Sequence, residues 1–252
     1  MTPFYFGSSG RRLFGVYEPA AMKGAGARAA VLCYPWGSEY LHAHRTMRQL
    51  AIKLSVTGFH TLRFDLFGTG DSAGEMTDAD TDGWEADIES AMEEITSIVG
   101  ATRVTLIGLR LGATLAASVA TRRGKDIDAL VLWDPIVSGR DYARHLAAAA
   151  PQGFPNTGQV LEVSGFPLTT ALLRDFQSLD LGSLLAPSAT RTLMLVTERS
   201  PAHGAFHAVP TATDGGSLAI EFMTAMCPWV ADPESVGMVP IQVLQRIVGW
   251  LG

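Results

Sequence analysis

The stretch Val104-Thr105-Leu106-Ile107-Gly108-Leu109-Arg110-Leu111-Gly112-Ala113-Thr114-Leu115-Ala116 decides how this chain folds. Its first half is an apolar run with the length of a buried strand. Its second half is rich in alanine and leucine and suits a closely packed helix. Between the two, Gly108 and Gly112 bracket Arg110 and leave space for only a sharp turn. A buried strand that turns straight into a helix is the repeating unit of a parallel sheet with helices on its faces.

Outward from this unit the same alternation continues. Residues 3–6 and 13–17 flank Ser8-Ser9-Gly10 and predict an opening hairpin. Further strands are expected at 28–34, 60–66, 103–109, 129–133, 192–197 and 218–224. Helices are expected at 44–57, 79–99, 111–123 and 239–251, the second with acidic residues near its start, as the helix dipole favours. The pattern predicts one α/β domain over residues 1–252, with a mostly parallel central sheet flanked by helices. Residues 138–189 break the alternation. They hold a helix-like segment at 141–150, a Pro/Gly-rich turn at 151–158 and apolar segments around Phe166 to Leu185. A connection of this length is usually functional. It is expected to form a small cap over the strand ends, the alternative being an excursion with no substrate role.

Composition narrows the function classes. A 252-residue chain that is 47% hydrophobic and 17% charged can bury a substantial core. With a net charge of −6 and scattered basic residues, neither nucleic acid nor an anionic membrane is an expected partner. No uncharged run reaches the length of a membrane span, about 18–20 residues. The N-terminal residues lack the pattern of a secretory signal, so a cytoplasmic location is expected. Cys33 and Cys227 lie in apolar contexts without metal-type spacing and read as two buried free thiols. No metal or organic cofactor is indicated. A homo-oligomer stays open, since an apolar cap is as suited to an interface as to a pocket wall.

The turn at 108–112 has the frame of the G-x-S-x-G nucleophile elbow, in which a strained strand-to-helix turn lifts a serine hydroxyl above the sheet. Arg110 stands where that serine would be. A guanidinium is always charged, offers only donors, and cannot form an acyl-enzyme. It either holds a substrate carboxylate, phosphate or developing oxyanion, or is a buried cation paired with Asp134 or Glu39. A carboxylate partner is expected in both cases, because an unpaired buried guanidinium is very costly. Near Asp65, Asp71 is expected to bond turn amides, and Gly68 and Gly70 to serve backbone geometry rather than phosphate binding.

The order of elements, this turn and Phe64-Asp65-Leu66-Phe67-Gly68-Thr69-Gly70-Asp71-Ser72 resemble the α/β-hydrolase superfamily. Cys33-Tyr34-Pro35-Trp36-Gly37-Ser38-Glu39-Tyr40 with His44-Arg45, and Trp133-Asp134-Pro135 with Gly139-Arg140, resemble its serine-aminopeptidase-like branch. That branch includes hydrolase-like proteins associated with exosortase and exopolysaccharide gene clusters. The resemblance implies an α/β-hydrolase fold with the small cap at about 138–189. It implies an oxyanion hole from the backbone N–H groups of Trp36 and Leu111. A triad acid would be Asp134 or Glu198, each with a strand-end or turn-cap role as the alternative.

A triad histidine should follow the last strand, yet the segment 225–234 has none. The six histidines are His42, His44, His60, His145, His203 and His207. His203 and His207 either swing inward or stay solvated. Trp229 would stand near the vacant place. Glu39 is a general base or an ion-pair partner of Arg110 or Arg45, and His44 is the other base or a first-turn helix residue. Tyr40, Trp229 and His207 complete the expected substrate-binding set.

The expected function is an enzyme acting on a small acyl or carbonyl compound without a serine nucleophile. Ester or thioester hydrolysis, acyl transfer, and a lyase or cyclisation step all fit. The alternative is a non-catalytic relative that binds an anionic metabolite or a protein partner. A conventional esterase or peptidase working through Ser38, Ser72 or Cys33 is a third reading, and fold alone does not choose among them.

Overall fold

The computed structural model describes residues 1–21, 27–150, 160–185, 190–197, 212–213, 216–230 and 238–252. The chain opens with an antiparallel hairpin, β1 (Thr2–Ser8) and β2 (Arg11–Glu18). There follow β3 (Arg28–Cys33), α1 (Ser38–Val56), β4 (Phe59–Phe64), α2 (Thr81–Val99), β5 (Val104–Leu109), α3 (Leu111–Arg123) and β6 (Ile127–Trp133). An insertion comes next, made of α4 (Gly139–Ala149), a second hairpin of β7 (Val160–Val163) and β8 (Phe166–Thr169), α5 (Thr170–Ser178) and α6 (Leu181–Leu185). The chain returns through β9 (Arg191–Val196), β10 (Ala212–Thr213), β11 (Gly216–Phe222) and α7 (Ile241–Leu251).

Among the described residues the main sheet has the order β1-β2-β4-β3-β5-β6-β9-β11-β10. Its six inner strands, β4 to β11 in that order, are parallel. Antiparallel pairing is confined to β1 and β2 at one edge and β10 at the other. The period of two is plain in β3. Ala29, Val31 and Cys33 join the core beneath α2 and α3, while Ala30 and Leu32 join the core beneath α1 and α7. Strands buried on both faces read as continuous apolar runs, which is why 104–109 carries no polar alternation.

Helix ends follow local chemistry. Asp80 caps α2 by accepting from Gly83 N (2.6 Å), and Ser138 and Thr169 cap α4 and α5 in the same way. The structure corrects one expected boundary that matters for the site: α1 starts at Ser38, not at residue 44. Glu39 and Tyr40 are therefore in its first turn, where an acidic residue is favourable.

The insertion is tied at its base, where Gly139 N donates to the Leu179 carbonyl and Leu181 N to the Val137 carbonyl. Phe176 of α5 is wholly buried and packs on the rings of Trp36 (5.7 Å), Trp84 (6.2 Å) and Tyr142 (5.7 Å). The expected Pro/Gly-rich turn at 151–158 lies outside the described residues. Of the two cysteines, Cys33 is buried, but Cys227 is only partly covered, which corrects the reading of both as buried.

Candidate active site

The centre of the site is the turn between β5 and α3. Arg110 has φ 54° and ψ −122°, a conformation that L-residues rarely adopt. The glycines on either side allow it. A Cβ on Gly108 would overlap the backbone of Ala113, and one on Gly112 would overlap the carbonyls of Cys33 and Tyr34. The helix therefore starts directly against the end of β3. Hydrogen bonds fix the apex: Arg110 N donates to the Trp133 carbonyl (3.0 Å), and the Arg110 carbonyl accepts from Ala113 N (3.0 Å) and Thr114 N (3.3 Å). Thr114 Oγ1 donates to the Ile136 carbonyl (3.0 Å), joining α3 to the segment after β6.

The side chain of Arg110 points into a small charged cluster. Its Nε donates to Glu39 Oε1 at 3.1 Å, and both side chains are 18% exposed. Its Nη1 approaches the main-chain carbonyl of Asp134 at 3.5 Å. Its Cζ lies 5.2 Å from the centre of the Trp229 ring, in cation–π range. Trp229 is held in turn by an edge-on contact with Trp133 (6.3 Å, 85°). Among the described residues, the carboxylate paired with Arg110 is thus Glu39, brought within reach by the early start of α1.

Asp134 plays another part. It is fully buried and, like Arg110, has a positive φ (41°). Its carboxylate accepts from Thr197 N (2.7 Å) and Thr197 Oγ1 (2.5 Å), binding the ends of β6 and β9 together. Arg110 and Asp134 are neighbouring strand-end residues in strained backbone, and strain of this kind gathers at functional sites.

Tyr40 and His44 do not join Arg110. The Tyr40 hydroxyl donates to Asp65 Oδ1 (2.8 Å), and its ring meets Tyr34 and His44. His44 stacks on Tyr34 (5.8 Å, 16°), which covers part of its ring while the rest of the residue meets solvent. Burial, and then the Arg63 guanidinium, push its pKa below the ordinary histidine value. Arg63 is itself buried and donates to the Tyr34 hydroxyl (3.0 Å). His44 and Tyr40 thus belong to a separate polar–aromatic cluster at the end of β4. Burial raises the Asp65 pKa there. Asp65 also takes the role expected of Asp71: Asp71 N donates to Asp65 Oδ2 (3.0 Å). Ser72 is likewise engaged in the backbone, bonding the Asp65 carbonyl and Phe14 N.

Trp36 and Leu111 lie on the two segments that meet at Gly112. Among the described residues, neither backbone N–H donates to a protein acceptor. One residue escaped the sequence reading. Tyr142 of α4 has a buried hydroxyl with no hydrogen-bond partner. Burial and then the negative charge of Glu39 hold its pKa well above the usual phenol value, with Arg110 opposing. His207, His203 and Glu198 lie outside the described residues. Among the described residues there is no group of three or more His, Cys, Asp or Glu placed to hold a metal ion, and no helix long and apolar enough to cross a membrane.

Known proteins place this arrangement in a family. Human Protein ABHD12B is 35% identical over 111 residues, covering 43% of this chain and 30% of that protein. The chain thus matches less than a third of the length of this relative. Est1E from Butyrivibrio proteoclasticus, solved with ferulic acid bound, superposes with a TM-score of 0.74 at 17% identity, over 98% of this chain and 97% of that one. DcsB, solved in complex with its substrate analogue, gives 0.69 at 16% identity over 99% and 97%. At these identities the likeness to the solved structures is one of fold. The sequence model described as serine aminopeptidase, S33 matches residues 38–182, more than half of the chain. With this turn, this sheet and that match, the chain belongs to the serine aminopeptidase S33 family of the α/β-hydrolase superfamily.

Proposed function

We propose that this α/β hydrolase acts on a small acyl or carbonyl compound without a serine nucleophile, with Arg110 as the group that binds or polarises the substrate. The observation that carries this reading is the backbone of Arg110, held at φ 54° and ψ −122° at the apex of the strand-to-helix turn. In the family's elbow that strain lifts the reacting residue above the sheet. Backbone strain of this kind gathers at functional sites, and here it is spent on holding an arginine at the apex.

The neighbours supply the remaining parts. Trp36 and Leu111 lie on the two segments that meet at Gly112, and their N–H groups are the donors for an oxyanion. Glu39, 3.1 Å from Arg110, is the proton acceptor. In the hydrolytic form of the reaction, water gives a proton to Glu39 as its oxygen bonds to the acyl carbon. The carbonyl electrons move onto the oxyanion. They return as the bond to the leaving alcohol or thiol breaks, and the proton goes from Glu39 to that group. Asp134 is a positioning residue, holding β6 against β9 beneath the apex. The insertion, through Tyr142 and Phe176, is the cap. The substrate is a small molecule of acyl or anionic type, in keeping with the ferulic acid held by Est1E.

The test is turnover of a panel of aryl esters and acyl thioesters by the wild type and Arg110→Ala. The expected result is activity in the wild type that falls about 100-fold or more in the variant, the loss typical of removing a charge-stabilising donor. Equal turnover by both proteins removes Arg110 from the mechanism. A compound that raises the melting temperature without giving product assigns the pocket to binding alone.

A further inference from the structure

Among the described residues, Arg63 is the one buried basic side chain, at 5% exposure. Its two contacts are with neutral groups. Nη1 donates to the Tyr34 hydroxyl (3.0 Å), and Nη2 meets the sulfur of Met1 (3.9 Å). No carboxylate among the described residues forms an ion pair with it. Asp65, two residues further on, accepts instead from the Tyr40 hydroxyl (2.8 Å) and Asp71 N (3.0 Å). A buried guanidinium needs a charged partner, and a thioether is a weak acceptor. The group over Nη2 can also give way. Met1 is 61% exposed, and its unbranched side chain turns easily.

The rim is basic. His44 stacks on Tyr34, the tyrosine whose hydroxyl holds Arg63. Arg48 follows one helical turn later on the same flank of α1. Both residues are exposed, and neither has an ion-pair partner among the described residues. From His42 to Lys53 the helix carries no acidic residue. Burial and then Arg63 lower the His44 pKa, with Asp65 opposing and Arg48 adding to the fall. The sheet register separates Asp65 from Met1. Thr2 is level with Tyr17, and Tyr17 with Leu62, so Met1 reaches Arg63 from the start of β4, while Asp65 lies past its end. α1 runs back the same way, its Ser55 carbonyl accepting from Ala21 N beyond the end of β2. Arg48 is therefore on the Met1 side of His44, and the open donor of Arg63 is turned away from the Asp65 carboxylate.

We propose that Arg63, with Arg48 and His44 at its rim, is an anion site that takes a phosphate, free or as the monoester of a small molecule, whose oxygens replace the Met1 sulfur at Nη2. Two guanidiniums and an imidazole suit a doubly charged oxyanion, which a phosphate supplies near neutral pH. The guanidinium fork can pair two of its oxygens at once. The site is separate from Arg110 and does not rest on the function proposed above.

Calorimetric titration with inorganic phosphate, and separately with glycerol 3-phosphate, tests it at fixed ionic strength in chloride. The proteins are the wild type, Arg63→Met, Arg48→Gln and Lys53→Gln. The expected result is saturable binding by the wild type and none by Arg63→Met. Arg48→Gln should bind about tenfold more weakly, the scale of one charge-assisted hydrogen bond. Lys53 stands nine residues after His44, half a turn round the helix, so Lys53→Gln removes the same charge from the opposite flank and should bind as the wild type does. Should Arg63→Met fail to fold, Arg48→Gln decides, because Arg48 is exposed and makes no ion pair among the described residues. Tighter binding of the monoester makes the phosphoryl group of a metabolite the occupant, and tighter binding of inorganic phosphate makes it the free ion. Either supports the site. No saturable binding of either ligand by the wild type overturns it, as does unchanged affinity in Arg48→Gln. An equal loss in Lys53→Gln also overturns it, since the binding would then be to diffuse surface charge.

Discussion

Arg110 stands under two constraints at once, a backbone that suits glycine and a charge that needs a partner. The two are separable by experiment. Arg110→Gly and Arg110→Ala both lose the ion pair with Glu39 and the contact with Trp229, but only glycine relieves the strain at φ 54°. Urea unfolding should find Arg110→Gly more stable than Arg110→Ala by about 1–2 kcal/mol. Equal midpoints would mean that the turn relaxes around alanine and stores no strain. At this scale the sequence was informative about position and left two candidates for the partner. Gly108 and Gly112 announced the turn, and the choice between Asp134 and Glu39 stayed open. Reaching Glu39 depends on where α1 begins, and the chain marks that start weakly. Gly37 enters the helix at positive φ, and no side chain caps it. Tyr142 was invisible for a related reason. Periodicity tells which face of a helix is buried, but not which buried side chain ends beside a charge far away in sequence.

Among the elements, α1 divides its duties between two clusters. Its first turn sends Glu39 to Arg110, while Tyr40 and His44 pack at the end of β4 with Tyr34. The second cluster makes stability depend on pH. The folded-state pKa of His44 lies below its ordinary value of about 6.5, chiefly through burial. The folded protein therefore binds this proton less readily than the unfolded chain. The contribution of neutral His44 is complete above about pH 6.5 and is lost as pH falls through the lowered folded value. Melting curves from pH 7.5 to 5 should show the wild type losing stability relative to His44→Gln as the solution is acidified. Parallel curves would remove His44 from the balance. The element scale also shows how a signal is overruled. Ser164-Gly165 has positive φ at both residues and makes the tight hairpin of β7 and β8. The sequence reading placed only apolar segments here, and Pro167 by itself argues against a strand. The proline is tolerated because β8 pairs on one side only, in a sheet of two strands.

Across the whole molecule, the parallel sheet was legible because its strands are buried on both faces and read as unbroken apolar runs. The site was less so, because it is assembled from the ends of β5 and β6, the start of α1, the insertion and the segment after β11. Cys33 closes β3 against Gly112, 1% exposed, with its thiol pKa pushed up by burial. Iodoacetamide needs a thiolate and a path. In the native protein it should label Cys227 first, while labelling of Cys33 should keep pace with global unfolding in a urea series. Early labelling of Cys33 would mean that the sheet opens locally at β3.

The contact of Gly112 with the carbonyls of Cys33 and Tyr34 reaches beyond stability. It seats the helix limb of the turn against main chain, so that part of the frame does not depend on which side chain the apex carries. The turn behaves as a socket, and residue 110 as the interchangeable tool set in it. A library that varies position 110 while keeping both glycines should hold each new group at the same height above the sheet. Comparing its members would then measure chemistry with geometry held constant.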